Sequence, residues 1–168
     1  LIPHVPLFQP RPASSPESIA ALAKLEADLF VVVAYGEILK QPLLDLAPLG
    51  CINVHGSILP RYRGAAPIQR ALMAGESETG ISIIKMVLQM DAGDVLWHEA
   101  IPVGPNETFG ELRERLAVLG GKGLQAGHVG VAQCFEVAQH QHRHAAAHSQ
   151  LDLRQAVDAP ERLAVDDD

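Results

Sequence analysis

The sequence predicts an α/β fold in which a mostly parallel sheet carries an antiparallel hairpin. Three observations lead there. Leu29-Phe30-Val31-Val32-Val33 is apolar at every position, and Gly50-Cys51-Ile52-Asn53-Val54 is nearly so. Unbroken apolar runs suit strands covered on both faces, as parallel strands are. Helix signals fall between and around these runs. Two more strand-like stretches, Gly80–Leu88 and Asp94–Val103, are separated only by Gln89-Met90-Asp91-Ala92-Gly93. That is a short Gly-containing connection of hairpin type.

Each element has a local reason. Leu1–Pro12 is Pro-rich and reads as extended. Ser15-Pro16-Glu17 marks a helix start, with a Ser N-cap, Pro at the first helical position and an acid in the first turn. Ile19, Leu22 and Leu25 give that helix an apolar side. A short helix with Pro42 near its start leads from the first apolar strand to the second. Ala65–Ala74 reads as a helix ending before Gly75. Thr108 and Glu111 form a capping box. Phe109, Leu112, Leu116 and Leu119 then recur near helical spacing, and Gly120-Gly121 is expected to stop the helix. Residues 28–34 and 51–55 are expected to be neighbouring parallel strands.

Composition narrows the class. A chain of 168 residues, 48% apolar and 20% charged, can bury a core and is not a disordered polymer. Its longest strongly apolar run, Leu29–Tyr35, is seven residues, far short of the ~20 needed to span a membrane. Two cysteines, Cys51 and Cys134, make no disulfide framework, and no secretory signal is visible. An intracellular, cytoplasmic protein is expected. The net charge of −7 argues against a generally basic surface but not against a local patch. Residues 122–168 differ from the rest: they hold five of the eight histidines and only one aromatic, Phe135.

In open α/β sheets the chemistry sits beyond the carboxyl ends of the strands. Asn53 and His55 are two residues apart at such an end, so they share a strand face. The Asn53 amide can donate to a developing oxyanion, and the His55 imidazole can exchange a proton near neutral pH. The ordinary alternative is that Asn53 ends the strand and His55 bonds locally; spacing alone leaves both open. Asp91 is a third candidate, in a loop where a carboxylate could favour and orient an imidazolium. It could equally be a turn residue bonding its own backbone, and Asp94 is a rival. Nucleophilic catalysis has little support. Ser57 lacks a G-x-S-x-G setting, Cys51 lies within an apolar strand, and no phosphate-binding glycine loop is present.

The run from Gly50 through Asn53, His55, Ser57-Ile58-Leu59-Pro60-Arg61-Tyr62-Arg63-Gly64 to Arg70 resembles the signature of the methionyl-tRNA formyltransferases. The wider group is the enzymes that use 10-formyltetrahydrofolate. Val5–Pro10, Ala27–Gly36, Glu78–Ile83 and Met90–Leu96 agree in order and spacing. The resemblance runs from about Val5 to Gly121. It implies a Rossmann-like formyltransferase fold lacking its first strands, with 1–121 as a partial catalytic domain. It places the catalytic residues on Asn53, His55 and Asp91, the folate-binding loop on Ser57, Ile58, Leu59 and Pro60, and a pterin contact near Ile38 and Leu39. The implied reaction moves a formyl group from 10-formyltetrahydrofolate to the amino group of initiator methionyl-tRNA, with no metal and as a monomer. Arg61, Arg63 and Arg70 would lie near the rim of a pocket that has Asn53 at its floor. Glycinamide ribonucleotide or sugar-amine formyl transfer, or an inactive fragment, are the alternatives.

The resemblance stops after Lys122. Residues 122–168 are read as an unrecognised tail, frameshifted or disordered, and the opening Leu1 suggests a fragment. Sequencing the DNA around codon 122 tests the frameshift, which an unbroken frame would rule out. His140, His142, His144 and His148 could ligate a metal, but the Ala/Gln-rich setting favours a solvated run.

Overall fold

The computed structural model describes residues 7–9 and 12–126. Its elements, in chain order, are α1 (Pro16–Ala23), β1 (Phe30–Val33), α2 (Gln41–Leu44), β2 (Cys51–His55), α3 (Pro67–Met73), β3 (Glu78–Lys85), β4 (Val95–Pro102) and α4 (Phe109–Ala126). The strands form one sheet in the order β1-β2-β3-β4. β1 and β2 are parallel, with Phe30 opposite Cys51 and Val33 opposite Val54. β3 joins β2 antiparallel, His55 facing Ser82, and β4 completes the hairpin. The expected parallel neighbours and the expected hairpin are both present. The described strands make one parallel and two antiparallel pairings, so the sheet is mixed.

Alternation along the strands splits the core into two layers. Phe30, Val32 and Cys51 face one way and pack with Leu22 of α1, Leu43 and Leu44 of α2, Tyr35 and Leu39. Val31, Ile52, Ile81 and Ile83 face the other way and pack with Leu112, Leu116 and Leu119 of α4. Both faces are covered, which is why the β1 sequence is apolar without a break. Asn53 and His55 continue the Cys51 face toward the carboxyl end of β2.

The helix ends follow their caps. The Ser15 hydroxyl accepts from the Ser18 N–H at 3.1 Å. At α4, Thr108 N–H donates to the Glu111 carboxylate at 2.9 Å and Glu111 N–H donates to Thr108 Oγ1 at 3.4 Å. These are the two reciprocal bonds of a capping box. The Thr108 N–H and the Thr108 hydroxyl, both donating to the Glu111 carboxylate, hold that carboxyl below the usual range.

One boundary is corrected: Gly120-Gly121 does not stop α4, which runs on to Ala126. The reason lies in the sheet beneath it. A Cβ on Gly120 would sit 2.9 Å from Val54 Cγ1, and one on Gly123 would sit 2.4 Å from the Trp97 ring. These two glycines let the helix lie close on β2 and β4. Gly121 faces away, with nothing within 4 Å of its missing Cβ. Gly123→Ala should therefore destabilise the fold by about 1–3 kcal/mol through overpacking. Gly121→Ala should stabilise it by about 0.5–1 kcal/mol through helix propensity. Thermal unfolding of the two variants checks this opposition; equal shifts of the same sign would count against it.

Candidate functional site

β2 delivers Asn53 and His55 to one side of the sheet, and the chain then leaves as a polar loop. That loop is tied down before it reaches α3. Ser82 Oγ on β3 donates to the Ser57 carbonyl at 2.8 Å and accepts from Leu59 N–H at 3.0 Å. Ser57 Oγ donates to the Arg61 carbonyl at 2.6 Å. Both serines are fully buried. Of the four expected folate-loop residues, Ser57 is turned inward as a loop anchor, Ile58 and Leu59 are half-buried, and Pro60 is exposed. The polar Ser82 inside Ile81-Ser82-Ile83-Ile84 is a signal that sequence reasoning passed over, since a buried hydroxyl needs partners.

Asp91 comes from the β3–β4 connection, 36 positions beyond His55 in the chain. Its backbone is left-handed, with φ of 47°, which aspartate tolerates better than most residues. Gly93 follows because a Cβ there would fall 1.7 Å from the Lys85 carbonyl oxygen. The turn folds back and brings the carboxylate to β2. Asp91 Oδ2 lies 3.5 Å from His55 Nδ1 and accepts from Gly64 N–H at 2.8 Å. Asp91 Oδ1 accepts from Asn53 Nδ2 at 3.4 Å. His55 Nε2 faces the Tyr62 carbonyl oxygen at 3.0 Å. The His55 and Asp91 side chains are only 6% and 12% exposed, so their interaction is poorly screened by solvent.

Asn53 and His55 thus converge on the carboxylate of the third candidate, Asp91. Asp94 does not join them: it is exposed, and its carbonyl accepts from Lys85 N–H. Gly64 and Tyr62 were not anticipated as partners. Gly64 carries a turn signal, but Tyr62 contributes a carbonyl, which every residue has. Leu39 enters the core, whereas Ile38 is 73% exposed. The thiol of Cys51 is 2% exposed, and burial, helped by the Asp45 charge, pushes it up to about 11. A thiol so protonated and enclosed is a poor nucleophile.

Two cavities lie away from this cluster. One of about 180 Å³ is lined by Leu22, Phe30, Leu46 and Pro48. A smaller apolar one touches Val32, Tyr35 and Cys51. The first borders α1 and the segment after α2, the second borders α1 and α2, and neither is lined by Ser57–Pro60. Among the described residues no helix is long and apolar enough to cross a membrane. The histidines at 140, 142, 144 and 148 lie outside the described residues.

Chemically, the cluster offers an amide donor, an imidazole and a carboxylate within one partly enclosed site. Comparisons with known proteins bear on its use. A family model described as formyl transferase matches residues 2–126. A methionyl-tRNA formyltransferase of Protochlamydia amoebophila is 52% identical over 117 residues, covering 70% of this chain and 37% of that protein. One from Symbiobacterium thermophilum is 54% identical over 116 residues, covering 69% and 36%. The crystal structure of glycinamide ribonucleotide transformylase 1 from Geobacillus kaustophilus is similar with a TM-score of 0.61 at 28% identity, covering 70% of this chain and 66% of that one. The chain spans less than two fifths of the length of these two curated relatives.

Proposed function

The chain belongs to the formyl transferase family, and from that premise we propose that it carries the formyl-transfer chemistry of a methionyl-tRNA formyltransferase. The observation that carries this reading is the meeting of the Asn53 amide, the His55 ring and the Asp91 carboxylate at the carboxyl end of β2. Identities of 52% and 54% to proteins of that name favour methionyl-tRNA as acceptor over glycinamide ribonucleotide, whose transformylase is 28% identical.

In the proposed reaction the acceptor's α-amine attacks the formyl carbon of 10-formyltetrahydrofolate. The new C–N bond forms, and a tetrahedral oxyanion develops. Asn53 donates its Nδ2–H to that oxygen. His55, beside Asp91, takes part in the proton transfer that accompanies attack. Collapse breaks the bond to the folate nitrogen, which leaves with the proton that the amine has lost. Asp91 keeps His55 oriented, its Oδ2 lying 3.5 Å from Nδ1. Ile58, Leu59 and Pro60 supply the folate-facing edge of the loop, with Ser57 anchoring it from inside. A cytoplasmic, monomeric enzyme is part of this reading.

The test is a formyl-transfer assay with 10-formyltetrahydrofolate and three acceptors: methionyl-tRNA, glycinamide ribonucleotide and a sugar amine. It should be run on this chain and on a form extended to the length of the curated relatives. Transfer to methionyl-tRNA supports the proposal, and preferred transfer to another acceptor overturns it. Activity only in the extended form would mark the chain alone as an inactive fragment.

Arg61, Arg63 and Arg70 divide their labour. Arg61 pairs with Glu76, and Arg70 donates to the Arg63 carbonyl at 2.9 Å. Arg63 has an exposed side chain, well placed for an anionic acceptor. In the extended form, Arg63→Gln should reduce the slope of log affinity for tRNA against log salt by about 1. An unchanged slope would exclude Arg63 as a phosphate contact.

A further inference from the structure

We propose that Tyr62 is a positioning residue for His55, and that its backbone carbonyl decides which ring nitrogen exchanges a proton. The proposal rests on the reading of His55 as the proton-transfer group and adds the residue that sets its tautomer.

A carbonyl oxygen can only accept. With Tyr62 O 3.0 Å from His55 Nε2, that nitrogen must be the donor. When the ring holds one proton, the proton sits on Nε2. Nδ1 is then the nitrogen that gains and loses a proton, and it faces Asp91 at 3.5 Å. The same turn supplies the opposite polarity two residues later, where Gly64 N–H donates to Asp91 at 2.8 Å. One backbone segment thus offers an acceptor to the imidazole and a donor to the carboxylate.

Such aim has a conformational cost. Tyr62 has φ of 56°, a left-handed conformation that disfavours any residue with a Cβ. Its side chain is held in place to compensate. The phenol donates to Glu76, which follows α3, and that bond holds the phenol above its ordinary range. The Arg61 and Arg70 guanidinium carbons lie 5.6 and 5.5 Å from the ring centroid, within cation–π range. Glu76 also pairs with Arg61. The tyrosine side chain therefore anchors the carbonyl that touches His55.

The test uses the extended form with ¹⁵N-labelled histidine. Long-range ring spectra, with the His55 signals assigned by their loss in His55→Gln, report the tautomer directly. The expected native state is the Nε2–H tautomer whenever the ring is neutral. Glu76→Ala and Tyr62→Phe remove the anchor, so the Nδ1–H tautomer should become populated. In both variants kcat should fall about tenfold, the equivalent of one lost hydrogen bond. KM for the folate should stay within about twofold, because ground-state binding is untouched. Glu76→Gln keeps an acceptor for the phenol and should restore both readouts. A native Nδ1–H tautomer would overturn the proposal, as would an unchanged tautomer in both Glu76→Ala and Tyr62→Phe. If the ring responds as expected but no acceptor is formylated, the positioning role stands and the proposed reaction fails.

Discussion

Asn53→Ala should lower kcat for formyl transfer about 10²–10³-fold in the extended form, the usual cost of removing one oxyanion donor. The effect should fall on kcat more than on KM, since the charge that Asn53 stabilises exists only along the reaction path. Its position supports a donor role: Nδ2 already points into the cluster, where its partner Asp91 Oδ1 lies at 3.4 Å. A bond that long is readily exchanged for a better acceptor. Steady-state kinetics with varied folate and varied acceptor measure both constants. A loss confined to KM would reassign Asn53 to ground-state binding.

His55→Ala and Asp91→Asn should each reduce kcat by at least about 10²-fold, the low end for loss of acid–base chemistry. Asp91→Asn is the more informative change. The carboxylate oxygens face three potential donors: Asn53 Nδ2, Gly64 N–H and His55 Nδ1. An asparagine offers one acceptor oxygen and one NH₂, so a donor must face a donor whichever way it turns. The negative charge beside the imidazole also disappears. Folate affinity, measured by direct titration, should change little because the exchanged atoms leave the volume of the residue unaltered. Asp94→Asn is the control, and it should be mild. If Asp94→Asn were damaging and Asp91→Asn harmless, the third residue of the cluster would be misassigned.

Much of the framework was legible from local pattern. Unbroken apolarity in β1 reported that both its faces are covered, and the two core layers cover it. The capping box at Thr108 and Glu111 forms the bonds its spacing implies. A separation of two put Asn53 and His55 on one face, because a strand's side chains alternate. Local rules misjudged Gly120-Gly121. Helix propensity treats glycine as an end signal, yet the close approach of Val54 and Trp97 leaves no room for a Cβ at two positions of α4. Those neighbours come from strands far away in the chain.

Composition, periodicity and spacing therefore determined the α/β class, the hairpin, the helix caps and the pairing of Asn53 with His55 on one face. Each follows from covalent geometry acting over a few residues. The resemblance already favoured Asp91 over Asp94, but spacing did not. The tertiary structure alone decided that Ser57 turns inward to Ser82 and that the Tyr62 carbonyl meets Nε2. Those outcomes depend on where separate segments meet in space. The left-handed turns at Tyr62 and Asp91 aim a carbonyl and a carboxylate across 7 and 36 positions of chain, and no local pattern encodes the direction of a backbone oxygen.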